Sequence, residues 1–311
     1  GLFIQDEHAI NPYLTLTPVL RWSYYNRKPT TDNNDKFGLA SRSDSKVTPG
    51  ITLTLSPSKQ LSFYASVQTG YRPPFLDELY TSIEYPEFGM YSVVLPNPDL
   101  KPEESINVEI GVNGDYKSLF SDSDRFVFHA NVFRDRVKNL INAGATGDMD
   151  FTDDGDMILY YSIDNVGKAL KTGFEASADY YPGNADFHLS YGYLHAEDKN
   201  TGEKIPGLTP MQATLRAGYT YKPWNVNGWY RMRLFKGGKS NLETAWNSGE
   251  YKQLGGFATH TLGLTWKPQI KDWADFTLTF SVDNITNKKF RYLNGGYGVG
   301  RSYRAWLSAT F

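Results

Sequence analysis

Apolar and polar residues alternate one by one along most of this chain. The clearest run is 276–282, where Leu278 belongs to the apolar set and Thr279 to the polar set. Successive side chains of a β-strand point to opposite faces, so this alternation predicts strands with one apolar and one polar face. Roughly thirteen strands are predicted, at residues 2–9, 13–25, 46–56, 60–70, 104–115, 125–141, 158–181, 185–196, 210–221, 227–236, 257–267, 275–284 and 301–311.

The connections between these predicted strands alternate between short and long. The short ones are 10–12, 56–59, 116–124, 182–184, 222–226 and 268–274. The long ones are 26–45, 71–103, 142–157, 197–209, 237–256 and 285–300. A soluble β-sandwich would show the same alternation within its strands, but short turns on one rim and long loops on the other are typical of an outer-membrane β-barrel.

Aromatic residues, which make up 15% of the chain, crowd the ends of several predicted strands. They are Trp22, Tyr24, Tyr25, Tyr180, Tyr181, Tyr219, Tyr221, Trp224, Trp266 and Trp273. Membrane barrels carry such residues as girdles at both interfaces, whereas a soluble β protein carries them as ordinary strand ends. Together with the loop pattern, they favour the barrel.

The overall composition excludes several classes of protein. The 311 residues carry a net charge of −2 with no basic stripe, which argues against nucleic-acid binding. Cysteine is absent, so disulfide frameworks and thiolate metal sites are excluded. No run approaches the roughly eighteen apolar residues of a membrane-spanning helix.

The start of the chain and the strand count predict that this sequence is part of a longer or processed protein. Residues 1–4 enter directly on a strand-like segment, with neither the basic region nor the small-residue cleavage site of a signal peptide. An odd number of strands leaves sheet edges unpaired, which suits a portion of a closed barrel better than a complete one.

The long connection 71–103 is the candidate for function. A chain reversal between antiparallel strands needs only a few residues, and longer connections are usually functional or disordered. This connection carries too much apolar surface for a solvated segment, and prolines stiffen both of its ends. Its apolar residues are Phe75, Leu76, Leu79, Tyr80, Ile83, Tyr85, Phe88, Met90, Tyr91, Val93, Val94 and Leu95.

Short motifs in this chain resemble landmarks of one family, in that family's order. Residues 71–80 (YRPPFLDELY) are similar to the FRAP/YRAP box of TonB-dependent outer-membrane receptors, and residues 97–103 (NPDLKPE) to their NPNL box. Later landmarks follow at 165–169 (NVGKA), 173–175, 205–207, 282–288 (VDNITNK) and 300–302, and the chain ends on an aromatic residue, Phe311. The resemblance covers essentially the whole sequence.

This resemblance implies an all-β fold, a transmembrane antiparallel β-barrel. Residues 1–311 would supply the C-terminal portion, about thirteen of some 22 strands, around an N-terminal plug that lies outside this sequence. It also implies a multi-pass protein of the Gram-negative outer membrane, in contact with membrane lipid. Its expected partners are the remaining barrel strands, the plug, and the TonB complex through that plug.

Haem and haemoglobin receptors are the members in which the paired boxes are most often singled out, with an iron-binding histidine between them. All five histidines here, His8, His129, His188, His195 and His260, lie outside that interval. Ferric haem also accepts Tyr or Met as ligands. The candidate ligand-binding residues are therefore Tyr71, Arg72, Tyr80, Tyr85, Met90, Tyr91 and Asn97, with Tyr85 and Tyr91 furthest from the strand ends; packing within a folded loop is the alternative role of each.

Other clusters of polar residues give weaker signals. His129 and His188 belong to the polar set of their strands, where wall lining is expected rather than a metal site. The acidic run at 148–156 lacks the Gly and Glu positions of an EF-hand, which indicates a solvated loop. No catalytic or nucleotide-binding motif was found, so the sequence predicts no enzyme and no covalent cofactor.

Three functions remain open at this point. The first is a receptor that imports haem, alone or from a carrier protein, with energy derived from TonB. The second is a ferric-siderophore receptor, which the missing histidine favours. The third belongs to a different class, a passive porin or an adhesive outer-membrane module.

Overall fold

A computed structural model of the protein describes residues 1–29, 40–87, 90–244, 250–268 and 274–310. Its strands are β1 Leu2–Gln5, β2 His8–Asn11, β3 Leu14–Arg27, β4 Arg42–Ser58, β5 Leu61–Arg72, β6 Ile83–Glu87, β7 Met90–Leu95, β8 Glu103–Lys117, β9 Asp124–Phe151, β10 Met157–Pro182, β11 Ala185–Asp198, β12 Met211–Tyr221, β13 Val226–Phe235, β14 Gly238–Glu243, β15 Tyr251–Leu254, β16 Phe257–Trp266, β17 Asp275–Asp283 and β18 Ser302–Thr310. The described helices are α1 Leu76–Tyr80 and one 3₁₀ turn, Lys222–Trp224; neither is long and apolar enough to cross a membrane.

Thirteen strands form one continuous path of neighbours, β1-β3-β4-β5-β8-β9-β10-β11-β12-β13-β16-β17-β18, and every pair along it is antiparallel. These thirteen correspond to the predicted strands, with the first predicted strand divided between β1 and β2. The predicted alternation of short and long connections holds for the described connections except between β9 and β10, where a long one was expected.

Two parts of the strand prediction were wrong. Residues 142–157 were expected to form a long loop, but β9 and β10 continue as a paired hairpin to Phe151 and from Met157, with the turn at 152–156. The sequence also gave no prediction of β6, β7, β14 and β15, which are short strands inside the long connections. The alternation rule missed them because each is only four to six residues long, too short to show the two-residue period clearly.

The two faces of the main sheet are arranged in the reverse of a soluble protein. In β4, Ile51, Leu53 and Leu55 are 45%, 41% and 45% exposed, while the threonines between them are partly buried. Leu53 lies opposite Leu16 of β3 and Ala65 of β5, so the exposed apolar positions line up across strands. Apolar residues outside and polar residues inside are the pattern of a membrane-spanning barrel.

Polar side chains cover the inner face and bond between strands. Asp283 accepts hydrogen bonds from Thr261 Oγ1 at 3.0 Å and Arg304 Nε at 2.6 Å. Thr279 lies 3.2 Å from Thr265, oxygen to oxygen, whereas the neighbouring Leu278 is 40% exposed on the other face. The predicted assignment of these two residues to opposite faces is confirmed.

The aromatic strand ends have specific neighbours. Trp22 stacks on Tyr24 with ring centroids 6.3 Å apart and donates its indole N–H to Ser45 Oγ at 2.9 Å. At the opposite rim, Tyr221 meets Trp224 edge to face at 5.5 Å. Of the predicted girdle residues, Trp273 lies outside the described ranges.

Most of the large apolar side chains that are fully enclosed do not lie in the wall. Leu79 and Leu100 are 0% and 1% exposed, and both belong to the connection between β5 and β8; Leu293, at 4%, belongs to the connection between β17 and β18. Two of the long connections therefore fold into small packed units of their own. These units, and not the sheet, contain the candidate site.

Candidate functional site

Arg72, the last residue of β5, anchors the connection that follows it. Its Nε and Nη2 atoms donate to both carboxylate oxygens of Glu103, at 2.8 and 2.7 Å. Its Nη1 donates to Glu78 at 2.9 Å, and Glu78 in turn accepts the Phe75 backbone N–H at 2.7 Å. Paired bonds between guanidinium and carboxylate fix orientation as well as distance, so Arg72 holds the start of α1 against the first residue of β8.

Glu103 also connects this unit to β9. The backbone N–H of Ile141 donates to Glu103 Oε1 at 2.8 Å. Both residues lie beyond the exposed apolar band, which in β8 begins at Ile106. Burial alone would raise the pKa of Glu103, but hydrogen bonds from Arg72 and Ile141 and the positive charges of Arg72 and Lys171 hold that pKa below its ordinary value.

A small apolar core closes the unit. Leu79 of α1, Leu100 and Ile141 pack together, with Tyr80 and Ile163 against them. The five-residue helix α1 is too short to be stable alone, so burial of Leu79 is what fixes it. We refer to residues 73–102 with this core as the β5–β8 cap.

Asparagine side chains fasten the far end of the β5–β8 cap to the wall. Asn97 donates its Nδ2 to the Ile163 carbonyl at 2.9 Å and to Asp164 at 2.7 Å. Asn165 accepts the Lys101 N–H at 2.7 Å and donates to the Lys101 carbonyl at 2.8 Å. Asn139 donates to the Pro102 carbonyl at 3.2 Å. The NPDLKPE motif therefore meets the NVGKA motif directly, a contact that the sequence did not predict.

The middle of the β5–β8 cap extends the sheet of the projecting β9–β10 hairpin. β11 pairs with β10 only from Ala169 to Tyr180, which leaves the outer part of β10 open on that side. β7 occupies this edge, parallel to Met157–Ser162, and β6 pairs with β7. The added strands satisfy backbone groups that an open edge would expose.

The predicted ligand residues divide into two groups. Arg72 and Asn97 bond within the protein as described, Tyr80 donates its hydroxyl to the Ala40 carbonyl at 2.9 Å, and the ring of Tyr71 lies 6.5 Å from that of Tyr25. Burial raises the pKa of Tyr71, with a further contribution from Asp44, and this disfavours its phenolate form.

Three candidates lie in the β6–β7 hairpin. Met90 is opposite Met157, and Tyr91 is opposite Pro86 and Ile158. The Tyr91 hydroxyl has no hydrogen-bond partner among the described residues, unlike that of Tyr80. The backbone of Tyr85 pairs with Ser92, and its side chain lies outside the described part of the structure.

The two inner-face histidines bond to neighbouring strands. His129 Nδ1 lies 2.7 Å from Asn113 Oδ1, and its ring stacks on Tyr64 at 6.2 Å. His188 Nδ1 lies 2.8 Å from Asp179. Within the described residues, no three His, Cys, Asp or Glu side chains are grouped as a metal site.

A second unit forms from aromatic rings where β13, β16 and the connection after β17 meet. Phe257 stacks between Phe235 and Phe290, with centroids 4.8 and 4.1 Å away, and Tyr292 meets Phe290 edge to face at 5.2 Å. Leu293 is buried beside them and accepts the Asn241 N–H at 2.9 Å. We refer to residues 284–301 with these rings as the β17–β18 cap.

The VDNITNK motif begins the β17–β18 cap with hydrogen bonds between asparagine side chains and the backbone. Asn284, in the left-handed region at φ 49°, donates to the carbonyls of Lys288 and Val299 at 2.9 and 3.1 Å. Asn287 accepts the Arg301 N–H at 2.9 Å. Asparagine tolerates positive φ better than most residues and bonds to nearby backbone, which accounts for its use at both positions.

Comparison with known proteins agrees with this architecture. Residues 1–285 match the family model described as "TonB dependent receptor-like, beta-barrel". The chain is 24% identical over 294 residues to "Heme/hemopexin utilization protein C" of Haemophilus influenzae (strain 86-028NP), covering 89% of this chain and 38% of that protein. It is 27% identical over 260 residues to "Hemoglobin and hemoglobin-haptoglobin-binding protein A" of Haemophilus influenzae, covering 76% and 22%.

Among solved structures, the ferric enterobactin receptor of Pseudomonas aeruginosa superposes with a TM-score of 0.73 at 20% identity, covering 99% of this chain and 44% of the receptor. That likeness shows the fold. The chain thus spans less than half the length of each of these relatives. On the family match over most of its residues, this chain belongs to the TonB-dependent receptor-like β-barrel family.

Proposed function

We propose that this chain is the C-terminal portion, residues 1–311, of an outer-membrane receptor that imports haem, free or from a carrier protein. The observation that carries the proposal is the similarity to proteins named for heme, hemopexin and hemoglobin, which extends over most of this chain. Import would draw energy from the TonB complex through an N-terminal plug enclosed by these strands and the remaining ones. Haem is then cargo, and the chain needs no covalent cofactor and performs no enzymatic reaction.

The β5–β8 cap supports this role. Arg72 and Glu103, which flank it, and its own Asn97 hold it on the wall, which makes it a preformed unit at the rim of the long connections. Haem is flat and mostly apolar, and the hairpin β6–β7 presents apolar side chains and Tyr91 at this rim. A tyrosinate is a hard anionic donor suited to ferric iron, and we assign Tyr91 that role, with Tyr85 and Met90 as neighbouring candidates.

Binding of a ferric siderophore is the second candidate. The absence of histidine from 71–103 favours it, because an oxygen-coordinated chelate needs no axial protein ligand. The family match is to receptors, so it lends no support to a passive porin or an adhesive module.

Substitution of Tyr91 separates the two candidates. In the full-length protein, Tyr91→Phe is expected to shift the visible absorption spectrum of bound ferric haem and to weaken its binding, while barrel assembly is unchanged. The matched control is Tyr297→Phe, which removes a hydroxyl from a side chain 77% exposed in another long connection.

If Tyr91→Phe, alone or together with Tyr85→Phe, leaves the haem spectrum, affinity and haem-dependent growth unchanged while ferric enterobactin competes for binding, the siderophore function replaces haem import. The Tyr297→Phe control is expected to bind haem as the unaltered protein does. An equal spectral change in both variants would contradict the assignment of Tyr91.

A further inference from the structure

A cluster of unpaired positive charges lies on the outer face of the wall. Arg134, Arg136 and Lys138 are exposed and alternate with the partly buried Phe133, Asp135 and Val137 of β9. They follow Val132 on the same face, and Val132 is 52% exposed within the apolar band. Lys168 of β10 lies directly opposite Lys138 and is exposed as well.

None of these four side chains forms an ion pair or hydrogen bond with a residue in the described ranges. The carboxylate opposite Lys138 in β8 is Glu104, and Glu104 is paired with Lys46 at 2.6 Å. Like charges directly opposite each other in a sheet destabilise it. The pair Lys138 and Lys168 is therefore unfavourable unless an anion from outside the chain lies between them.

The position of the cluster identifies the anion. Arg134 and Arg136 lie opposite Val108 and Ile106, the last exposed apolar residues of β8 on the side of the long connections. That level is the boundary between hydrocarbon and headgroups, where long basic side chains reach outward to phosphate. At this rim β3 and β4 instead carry neutral pairs, Trp22 with Ser45 and Tyr24 with Ser43, so this part of the rim differs from the basic cluster.

We propose that Arg134, Arg136, Lys138 and Lys168 bind the phosphate groups of a lipid headgroup in the outer leaflet. The inference rests on the outer-membrane location in the proposed function, but not on which ligand is imported. Guanidinium groups bind phosphate through paired hydrogen bonds, and the lysines add charge. The bound lipid would offset the repulsion between Lys138 and Lys168 and hold the projecting β9–β10 hairpin at the membrane surface.

Native mass spectrometry of the full-length protein in detergent with bisphosphorylated lipid A tests this proposal. The variant Arg134→Gln/Arg136→Gln/Lys138→Gln is expected to bind the lipid on the order of a hundredfold more weakly, about fivefold for each charge removed. The control Lys59→Gln/Lys117→Gln/Lys222→Gln removes three exposed charges at the short-turn rim and is expected to bind as the unaltered protein does.

Three results would overturn the proposal: equal binding by the first variant and the unaltered protein, equal loss in the control, or equal binding of lipid A stripped of its phosphates. Heat-modifiable migration verifies that each variant is folded. If the triple variant does not fold, the single variant Lys138→Gln tests the proposal instead. An affinity for lipid A about fivefold weaker is expected, and an unchanged affinity would contradict the proposal. Lipid binding without haem uptake would contradict haem import alone, and haem uptake without lipid binding would contradict this inference alone.

Discussion

The two caps of this barrel wall are built on the same plan with different chemistry. In the β5–β8 cap, Arg72 lies between two carboxylates and a small aliphatic core closes beneath α1. In the β17–β18 cap, Phe257 lies between two other rings and a single leucine, Leu293, is buried beside them. Charge fixes the first unit to the wall, and ring stacking fixes the second.

This difference indicates that the attachment of the β5–β8 cap depends on pH and that of the β17–β18 cap does not. Ion pairs and hydrogen bonds to carboxylates weaken when the carboxylates are protonated, whereas stacked rings are insensitive to pH. The cap that carries the predicted ligand residues is thus the one whose attachment depends on solution conditions. Each prediction below tests this separation by disturbing one cap and following both, through amide hydrogen exchange of the full-length protein.

Leu100→Ala is expected to produce the largest effect. Leu100 is 1% exposed, and truncating a fully buried leucine costs about 3 kcal/mol through lost burial and the cavity left behind. Amides of α1, β6 and β7 should exchange faster by a corresponding factor, while those of 284–301 keep their rates. Leu76→Ala, at a position 55% exposed in α1, is the control and should change little.

Phe257→Ala is expected to lower the free energy of opening the β17–β18 cap by about 2 kcal/mol. The loss is smaller than for a fully enclosed ring because Phe257 remains partly accessible. Faster exchange is expected in the β17–β18 cap, with the β5–β8 cap unchanged. Equal acceleration in both caps would show that they form one cooperative unit, contrary to the separation described above. Tyr297→Ala, a ring 77% exposed in the same connection, serves as the control.

The wall could be predicted from the sequence because its information is local. Alternation such as that of Leu278 and Thr279 depends only on the two-residue period of a strand, and it placed each residue on its observed face. The lengths of the connections then indicated which rim of the wall carries the short turns and which carries the long loops. Both rules apply wherever strands run in order along the chain, as they do here.

The caps could not be predicted, because their contacts join residues far apart in sequence. Nothing local to Ile141 indicates that it completes the core of Leu79 and Leu100, and nothing near Asn165 indicates that it holds Lys101. The resemblance to family boxes marked Arg72 and Asn97 as important, and the structure gives each of them a role in holding the cap. Whether either also contacts a ligand stays a prediction.

The smallest expected effect is a pH dependence of amide exchange in the β5–β8 cap that arises from Glu103 and is absent from the β17–β18 cap. Glu103 faces Arg72 of β5, the Ile141 N–H of β9 and Lys171 of β10, and Arg72 also binds Glu78. Because these groups hold the folded-state pKa of Glu103 below its ordinary value, the stability that they provide is present above the unfolded-state pKa and is lost as pH falls through the folded-state value. Acidification should therefore speed exchange in the β5–β8 cap before the β17–β18 cap.

In Glu103→Gln this acid step should be absent, since the amide does not titrate, and the β5–β8 cap should be weaker by about 1 kcal/mol at neutral pH, because a neutral acceptor bonds Arg72 less strongly than a carboxylate. Glu250→Gln, in a third long connection, provides a control for loss of one carboxylate at the same rim. An acid step that persists unchanged in Glu103→Gln would contradict the assignment of the pH response to Glu103 and its contacts with Arg72 and Ile141. The absence of any acid step in the unaltered protein would show that the β5–β8 cap is held by its apolar core alone, as the β17–β18 cap is held by its rings.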